Sequence, residues 1–238
     1  MVRRYFRSGV SVIDKPDSSP VTIADREAEA EMRRLILAAH PDHGIIGEEH
    51  GSERADAEWV WALDPIDGTK SFVTGRPLFG MLIALCHHGV PVLGVIDHPA
   101  LGERWIGAAG HPTALNGRKV EVRACPGLHQ AALFASSPHQ FVGAAFDAFE
   151  AVRRRAKLVQ YGSDCYHYAL VASGFGEIAI EAGLGPHDYL ALVPVIEGAG
   201  GVITDWAGKP LAIGSGDKVV AAGDVRVHAA ALDLLGGA

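Results

Sequence analysis

Asp64 and Asp67 stand three residues apart in the stretch WALDPIDGTKSF (61–72), with Pro65 between them and Gly68 just after. Two carboxylates about 4 Å apart repel by roughly 4 kcal/mol at an effective dielectric of 20. A bound cation, a raised pKa or separation into solvent could each offset that repulsion. Thr69 adds a hydroxyl two residues past Asp67, placed to hold a cation-bound water in line for attack. Asp25 could accept the Thr69 hydroxyl proton and pass basicity to that water. The Ile66 carbonyl could add an oxygen ligand, and the backbone N–H groups around Gly68 and Thr69 could take phosphate oxygens. The plainer reading is a turn whose acids cap helices.

The elements around these residues decide whether they can meet. PVTIADREAEAEMRRLILAAHPDHG (20–44) reads as a helix starting near Thr22, with Asp25 at capping-box spacing. Ala28, Met32, Leu35, Ile36 and Ala39 form its apolar stripe, and Pro41 with Gly44 closes it. GIIGEEHG (44–51) reads as a short buried strand ending in acid, and WVWALD (59–64) as a strand that stops at the Asp64 turn. From Phe79 the pattern predicts a hairpin about Gly89-Val90-Pro91, a further strand in GERWIGAAG (102–110), and a turn at Asn116-Gly117. Beyond Cys125 short strands (AALFAS, EIAIEA, GVITDW, KVVAAG) alternate with the helical stretches SDCYHYALVASGF and DYLALVPVIEGAGG. This predicts an α+β first lobe (1–125) and a more parallel α/β second lobe (126–238). Glu48, Asp64 and Asp67 would follow strands and Asp188 would open a second-lobe helix, so all four can converge on one cleft. Oxygen donors without sulfur or imidazole select Mg²⁺ over zinc or copper.

Composition narrows the class. The chain has 238 residues, 48% apolar and 21% charged, which reads as globular, with a formal net charge of −7 that argues against a nucleic-acid partner. The clusters Arg3-Arg4 and Arg153-Arg154-Arg155 read as solvated helix faces. No apolar run approaches the ~18 residues of a membrane span, and MVRRYFRSGV has no apolar run of a secretory signal. Three widely spaced cysteines without a CxxC fit a reducing cytoplasm and neither a disulfide framework nor structural zinc. Twelve histidines include no HExxH, and surface or core roles are expected for most of them.

PVTIAD (20–25), GEE (47–49), DPIDGT (64–69) and HDYLALVPVIEGAGG (187–201), in that order, resemble the four signatures of the inositol monophosphatase family. The match spans nearly the whole chain. It implies a layered αβαβα sandwich, two or three Mg²⁺ per site, a homodimer and lithium sensitivity. By the same resemblance Glu48, Asp64, Ile66 (carbonyl), Asp67 and Asp188 are metal ligands, with Glu48 also in the catalytic set, and Asp25 and Thr69 activate the water. Gly68, Thr69 and Asp188 would also face the substrate. Two departures stand out. Family members carry most of another helix before YFR, where this chain begins, so either the start is late or an outer helix is lacking. His187 also stands where a Trp is usual.

Substrate must be read on the leaving-group side. Asp164 in YGSDCYHYAL adds a charge where inositol phosphatases have small residues, and Glu181 falls seven residues before Asp188, matching the family's substrate-facing Glu. Two acids there suit a cationic leaving group such as histidinol, unless Asp164 merely caps the helix it begins. GVIDHPALGERWIGA, GSDCYHYAL and PVIEGAGGVITDW resemble the histidinol-phosphatase branch of the family. The expected activity is hydrolysis of histidinol phosphate in histidine biosynthesis. The alternatives are an inositol-1-monophosphatase, a 3′(2′),5′-bisphosphate nucleotidase, and a catalytically silent metal-binding member. The nucleotidase needs cations for its second phosphate, and no basic cluster is expected near GSDC.

Overall fold

The computed structural model describes residues 1–14 and 20–236. A short antiparallel pair, β1 (Val12–Asp14) and β2 (Pro20–Thr22), leads into helix α1 (Ile23–Ala39). Thr22 Oγ1 accepts the Ala24 N–H at 3.1 Å and Asp25 accepts the Thr22 N–H at 2.8 Å, which is the expected capping box. Of the expected apolar stripe only Ala28 is fully buried; Met32 and Ile36 are half-buried. Ala24, Asp25, Ala28 and Glu29 are buried, whereas Leu35 is 54% exposed and Ala39 faces solvent. The fully buried residues all lie in the first two turns, where small alanines allow close approach.

The first sheet holds β3 (Gly44–Gly47), β4 (Gly51–Glu53), β5 (Trp59–Asp67), β6 (Gly80–His87), β7 (Val90–His98), β8 (Glu103–Ala108), β9 (His111–Leu115) and β10 (Arg118–Lys119), with the short helix α2 (Thr69–Val73) after β5. Its spatial order is β10-β9-β8-β7-β6-β5-β3-β4, antiparallel except for β3 beside β5. The hairpin turn between β6 and β7 is His88-Gly89, both at positive φ, rather than Gly89-Val90-Pro91. Asn116-Gly117 makes the expected turn, again with both φ values positive, which matches the right-handed twist of the strands it joins.

The second sheet is built from β11 (Ala132–Ala135), β12 (Leu158–Tyr161), β13 (Ile178–Glu181), β14 (Val202–Asp205) and β15 (Val219–Ala222) in the order β12-β11-β13-β15-β14. Only β15 runs against the others. Its helices are α3 (Ala144–Arg153), α4 (Tyr166–Ala172), α5 (Pro186–Tyr189), α6 (Leu192–Gly198) and α7 (Val225–Leu235). The sequence pattern marks neither β12 nor α7, and of α3 only its basic end at Arg153. Strand residues alternate between two cores. Phe134, Ala179 and Ala221 pack with α4, α6 and Leu82, Ala84 and Ile96 of the first sheet. Leu133, Ile178 and Val220 pack with Phe149 and Val152 of α3 and Val227 and Ala231 of α7. A third core joins Ala24 and Ala28 of α1 to Ile66, Phe72 and Phe79. The layers are therefore helix, sheet, helix, sheet, helix, and the chain leaves the first sheet at Lys119 and enters the second at Ala132.

Candidate active site

Residues i and i+3 of a regular strand point to opposite faces. Asp64 and Asp67 nevertheless converge, because β5 does not stop at Asp64 as its sequence predicts. It continues to Asp67 through a bulge, with Asp64 opposite Leu82 and Asp67 opposite Gly80. Three steps on β5 thus span two on β6, and the extra residue turns both carboxylates to one side. Pro65, which has no N–H to lose from the ladder, sits inside the bulge. Asp188, third residue of α5, completes the group: a carboxylate oxygen from each of Asp64, Asp67 and Asp188 lies within 4.8 Å of the others.

Each aspartate is held by backbone. Asp64 Oδ1 accepts the Ile66 N–H at 2.9 Å, Asp67 Oδ2 the Cys165 N–H at 2.6 Å, and Asp188 Oδ2 the Gly185 N–H at 2.7 Å. Burial and the charges of Glu48, Asp67 and Asp188 push the Asp64 carboxyl well above the carboxylate range. Burial with Asp164 and Asp188 raises Asp67 to about 8. His187 brings Nε2 to 3.6 Å from Asp188 Oδ1 and works against the upward push of burial there.

Glu48 lines the same cavity as Asp67 and Asp188, and its charge raises Asp25 and Asp64. Its turn is fixed by Glu29, a residue that sequence reasoning missed. Glu29 is fully buried, pairs with Arg33 at 2.7 Å, and accepts the N–H groups of Glu49 (2.6 Å) and His50 (3.2 Å). A side chain at Gly47 would overlap the Glu29 carboxylate, its Cβ falling 1.9 Å from Oε1. The available signal was a Glu and an Arg four apart on a helix, ordinarily a surface pair.

The expected Asp25–Thr69 hydrogen bond is not made. Thr69 Oγ1 donates to the Ile66 carbonyl at 3.0 Å, and Asp25 Oδ2 accepts from the Thr22 hydroxyl at 2.6 Å. Asp25 Oδ1 is buried and has no hydrogen-bond partner among the described residues. Gly68, at φ 78°, precedes α2; a Cβ there would lie 2.6 Å from Asp164 Oδ2.

The leaving-group side departs further from expectation. Asp164 and Glu181 do line the cavity of about 560 Å³ that opens on the carboxylates. Asp164 does not cap α4: Cys165 is the cap residue, and Asp67 takes its N–H from across the interface between the sheets. Asp164, at φ 46°, instead accepts from the Ser71 hydroxyl at 3.1 Å. Where no basic cluster is expected near GSDC, two cations come close: Arg76 and Lys70 both lower the Asp164 pKa, against the larger upward push of burial. Arg76 also donates to the Gly162 carbonyl at 2.8 Å, a contact between residues 86 positions apart that no local pattern reveals. Glu181 is buried, accepts the Ser136 N–H at 2.6 Å, and is pushed up to about 8 by burial. Buried His167 brings Nε2 to 3.2 Å from Glu181 Oε1, out of line for a hydrogen bond, and burial pushes its pKa down to about 3. A groove of equal volume between the β8–β9 turn and the end of α6 holds none of these residues.

The donor set fits a hard divalent cation. Three converging carboxylates with raised pKa values, and a buried carboxylate oxygen without a partner among the described residues, are costly unless positive charge meets them. No helix among the described residues is long and apolar enough to cross a membrane.

The model of the inositol monophosphatase family matches residues 1–235. A chloroplastic bifunctional phosphatase of Arabidopsis thaliana, IMPL2, is 52% identical over 99% of this chain and 70% of its own length. A histidinol-phosphatase of Chlorobaculum parvum is 38% identical over 92% of this chain and 85% of its own length. The structure of an inositol monophosphatase from Zymomonas mobilis superposes with a TM-score of 0.91 at 42% identity, over 99% of this chain and 91% of that one. Enzymes of this family are metal-dependent phosphatases, which accords with the acidic cluster at the β5 bulge. The chain belongs to the inositol monophosphatase family.

Proposed function

We propose that this chain is a Mg²⁺-dependent phosphomonoesterase that hydrolyses L-histidinol phosphate to L-histidinol and phosphate. The observation that carries the reading is that two groups of acids line one cavity, Asp67 with Asp188 and Asp164 with Glu181. The first group suits a cation-bound phosphate. The second suits a leaving group with an ammonium and an imidazole, to which carboxylates give charge-assisted hydrogen bonds. Relatives named as a bifunctional phosphatase and a histidinol-phosphatase support it.

In this reading Asp64, Asp67, Asp188, Glu48 and the Ile66 carbonyl hold two or three Mg²⁺. Bound there, the ions would supply Lewis-acid charge and make a water nucleophilic at neutral pH. Asp25 Oδ1, without a partner among the described residues, takes the proton of the attacking water, with Thr69 Oγ1 orienting that water once it releases the Ile66 carbonyl. The N–H groups of Gly68 and Thr69 face the phosphate. A cytoplasmic homodimer, sensitive to lithium, belongs to the same reading.

A second reading, hydrolysis of inositol 1-phosphate, is favoured by the cations that already answer Asp164 and by the superposed inositol monophosphatase. Phosphate release with Mg²⁺ from histidinol phosphate, inositol 1-phosphate and adenosine 3′,5′-bisphosphate separates them. Histidinol phosphate should give the highest kcat/KM; a preference for inositol 1-phosphate would overturn the assignment.

A further inference from the structure

At the other end of β5 from the carboxylates, three side chains of different kind converge. One donor atom from each of Glu58, His87 and His88 lies within 4.8 Å of the others. The β5–β6 ladder frames them: Trp59 pairs with His87, and the His88 N–H donates to the Glu58 carbonyl at 2.8 Å. Successive strand residues point to opposite faces. His88 escapes that rule because it occupies the left-handed first position of the hairpin turn, at φ 48°, and its ring lies 4.3 Å from that of His87. The His87 ring is also stacked on Trp59, centroids 4.1 Å apart. Glu58 Oε1 lies 3.1 Å from His87 Nε2 and 3.9 Å from His88 Nε2.

We propose that Glu58, His87 and His88 bind one divalent transition cation, Zn²⁺ or Cu²⁺, at a site separate from the carboxylate centre. Two imidazoles and one carboxylate select borderline cations, whereas Mg²⁺ and Ca²⁺ prefer all-oxygen sets. Ring packing and the turn pre-set two of the three ligands, so little side-chain freedom is lost on binding. All three side chains are more than a third exposed, which leaves coordination positions open to solvent. Six residues of extended chain separate Glu58 from Asp64, the nearer carboxylate, about 20 Å at a strand rise of ~3.3 Å per residue. Filling this site should therefore leave phosphate release unchanged.

The test is calorimetric titration of Zn²⁺ into the protein with Mg²⁺ saturating, alongside electron paramagnetic resonance of one equivalent of Cu²⁺. The wild type should take one Zn²⁺, and the Cu²⁺ spectrum should carry nitrogen splittings from two imidazoles. Loss even of a residue that orients a ligand costs about 10–100-fold in metal affinity, so His88→Asn, whose amide tolerates the left-handed backbone, should weaken Zn²⁺ at least ~10-fold and remove one nitrogen. His87→Phe keeps the stack on Trp59 and should do the same. Glu58→Gln, at an exposed position, gives the same readout of affinity if a turn variant fails to fold. Phosphate release by these variants should match the wild type. Absence of Zn²⁺ binding by the wild type would overturn the proposal, and so would equal affinity in the wild type and all three variants.

Discussion

The carboxylate cluster should make the metal-free protein unstable in a pH-dependent way, and Asp67→Asn should relieve it. The Asp67 pKa rises from 3.8 to about 8 on folding, through burial and then the charges of Asp164 and Asp188. A raised carboxyl pKa means that the folded state holds the proton more tightly. Stability is therefore lost as pH climbs from about 4 to about 8. At 1.36 kcal/mol per unit, the roughly three units between 3.8 and pH 7 correspond to ~4 kcal/mol. Partial exposure of Asp67 and the weaker bond of an amide oxygen to the Cys165 N–H reduce the net gain to ~2 kcal/mol. For a chain of this size that is ~4–8 °C in Tm. Thermal unfolding in EDTA should thus find Asp67→Asn more stable than wild type at pH 8 and equal to it at pH 4. Added Mg²⁺ should reverse the order at pH 8, since ligand at ~100 times Kd stabilises by about 2.7 kcal/mol and the variant lacks a ligand. A metal-free variant less stable than wild type at pH 8 would refute the reasoning, because the carboxylate would then be a net structural asset through its bond to Cys165.

Phosphate release should require Mg²⁺, vanish in excess EDTA and fall at least ~100-fold in Thr69→Ala, as loss of a water-positioning hydroxyl implies; turnover undiminished by chelation would exclude the metal-held mechanism. Asp164→Asn should lower kcat/KM for histidinol phosphate roughly ten- to a hundredfold, the worth of one charge-assisted hydrogen bond, and leave uncharged esters almost untouched. Equal slowing of both esters would make Asp164 a positioning residue for α2 through Ser71 instead. Gly68→Ala should reduce kcat for every ester, because its left-handed backbone and the Asp164 carboxylate leave no room for a Cβ. Wild-type rates in that variant would show that the turn can shift without consequence.

Much of the fold was legible because its signals are local. Thr22 and Asp25 cap α1 by their own spacing, and Asn116-Gly117 turns the chain by its own backbone preference. The body of α3 and all of α7 escaped notice because an alanine-rich apolar face resembles a buried strand until a sheet is there to cover it. The α1 stripe misled for the converse reason: amphipathic spacing says which face is apolar and not how far along the helix a partner extends.

For the candidate site, sequence alone determined the inventory: acids after strands, a hydroxyl after a glycine, oxygen donors suited to Mg²⁺. Those follow from residue type and order. Tertiary structure alone decided the directions. The β5 bulge brings Asp64 and Asp67 to one side, and α5, more than a hundred residues later, delivers Asp188 to them. Glu29 holds the Glu48 turn through its buried carboxylate. Arg76 and Lys70 reach Asp164 because α2 and the loop before α4 pack together. A side chain's direction and its neighbours' charges depend on register and on contacts distant in sequence, which spacing along the chain does not encode.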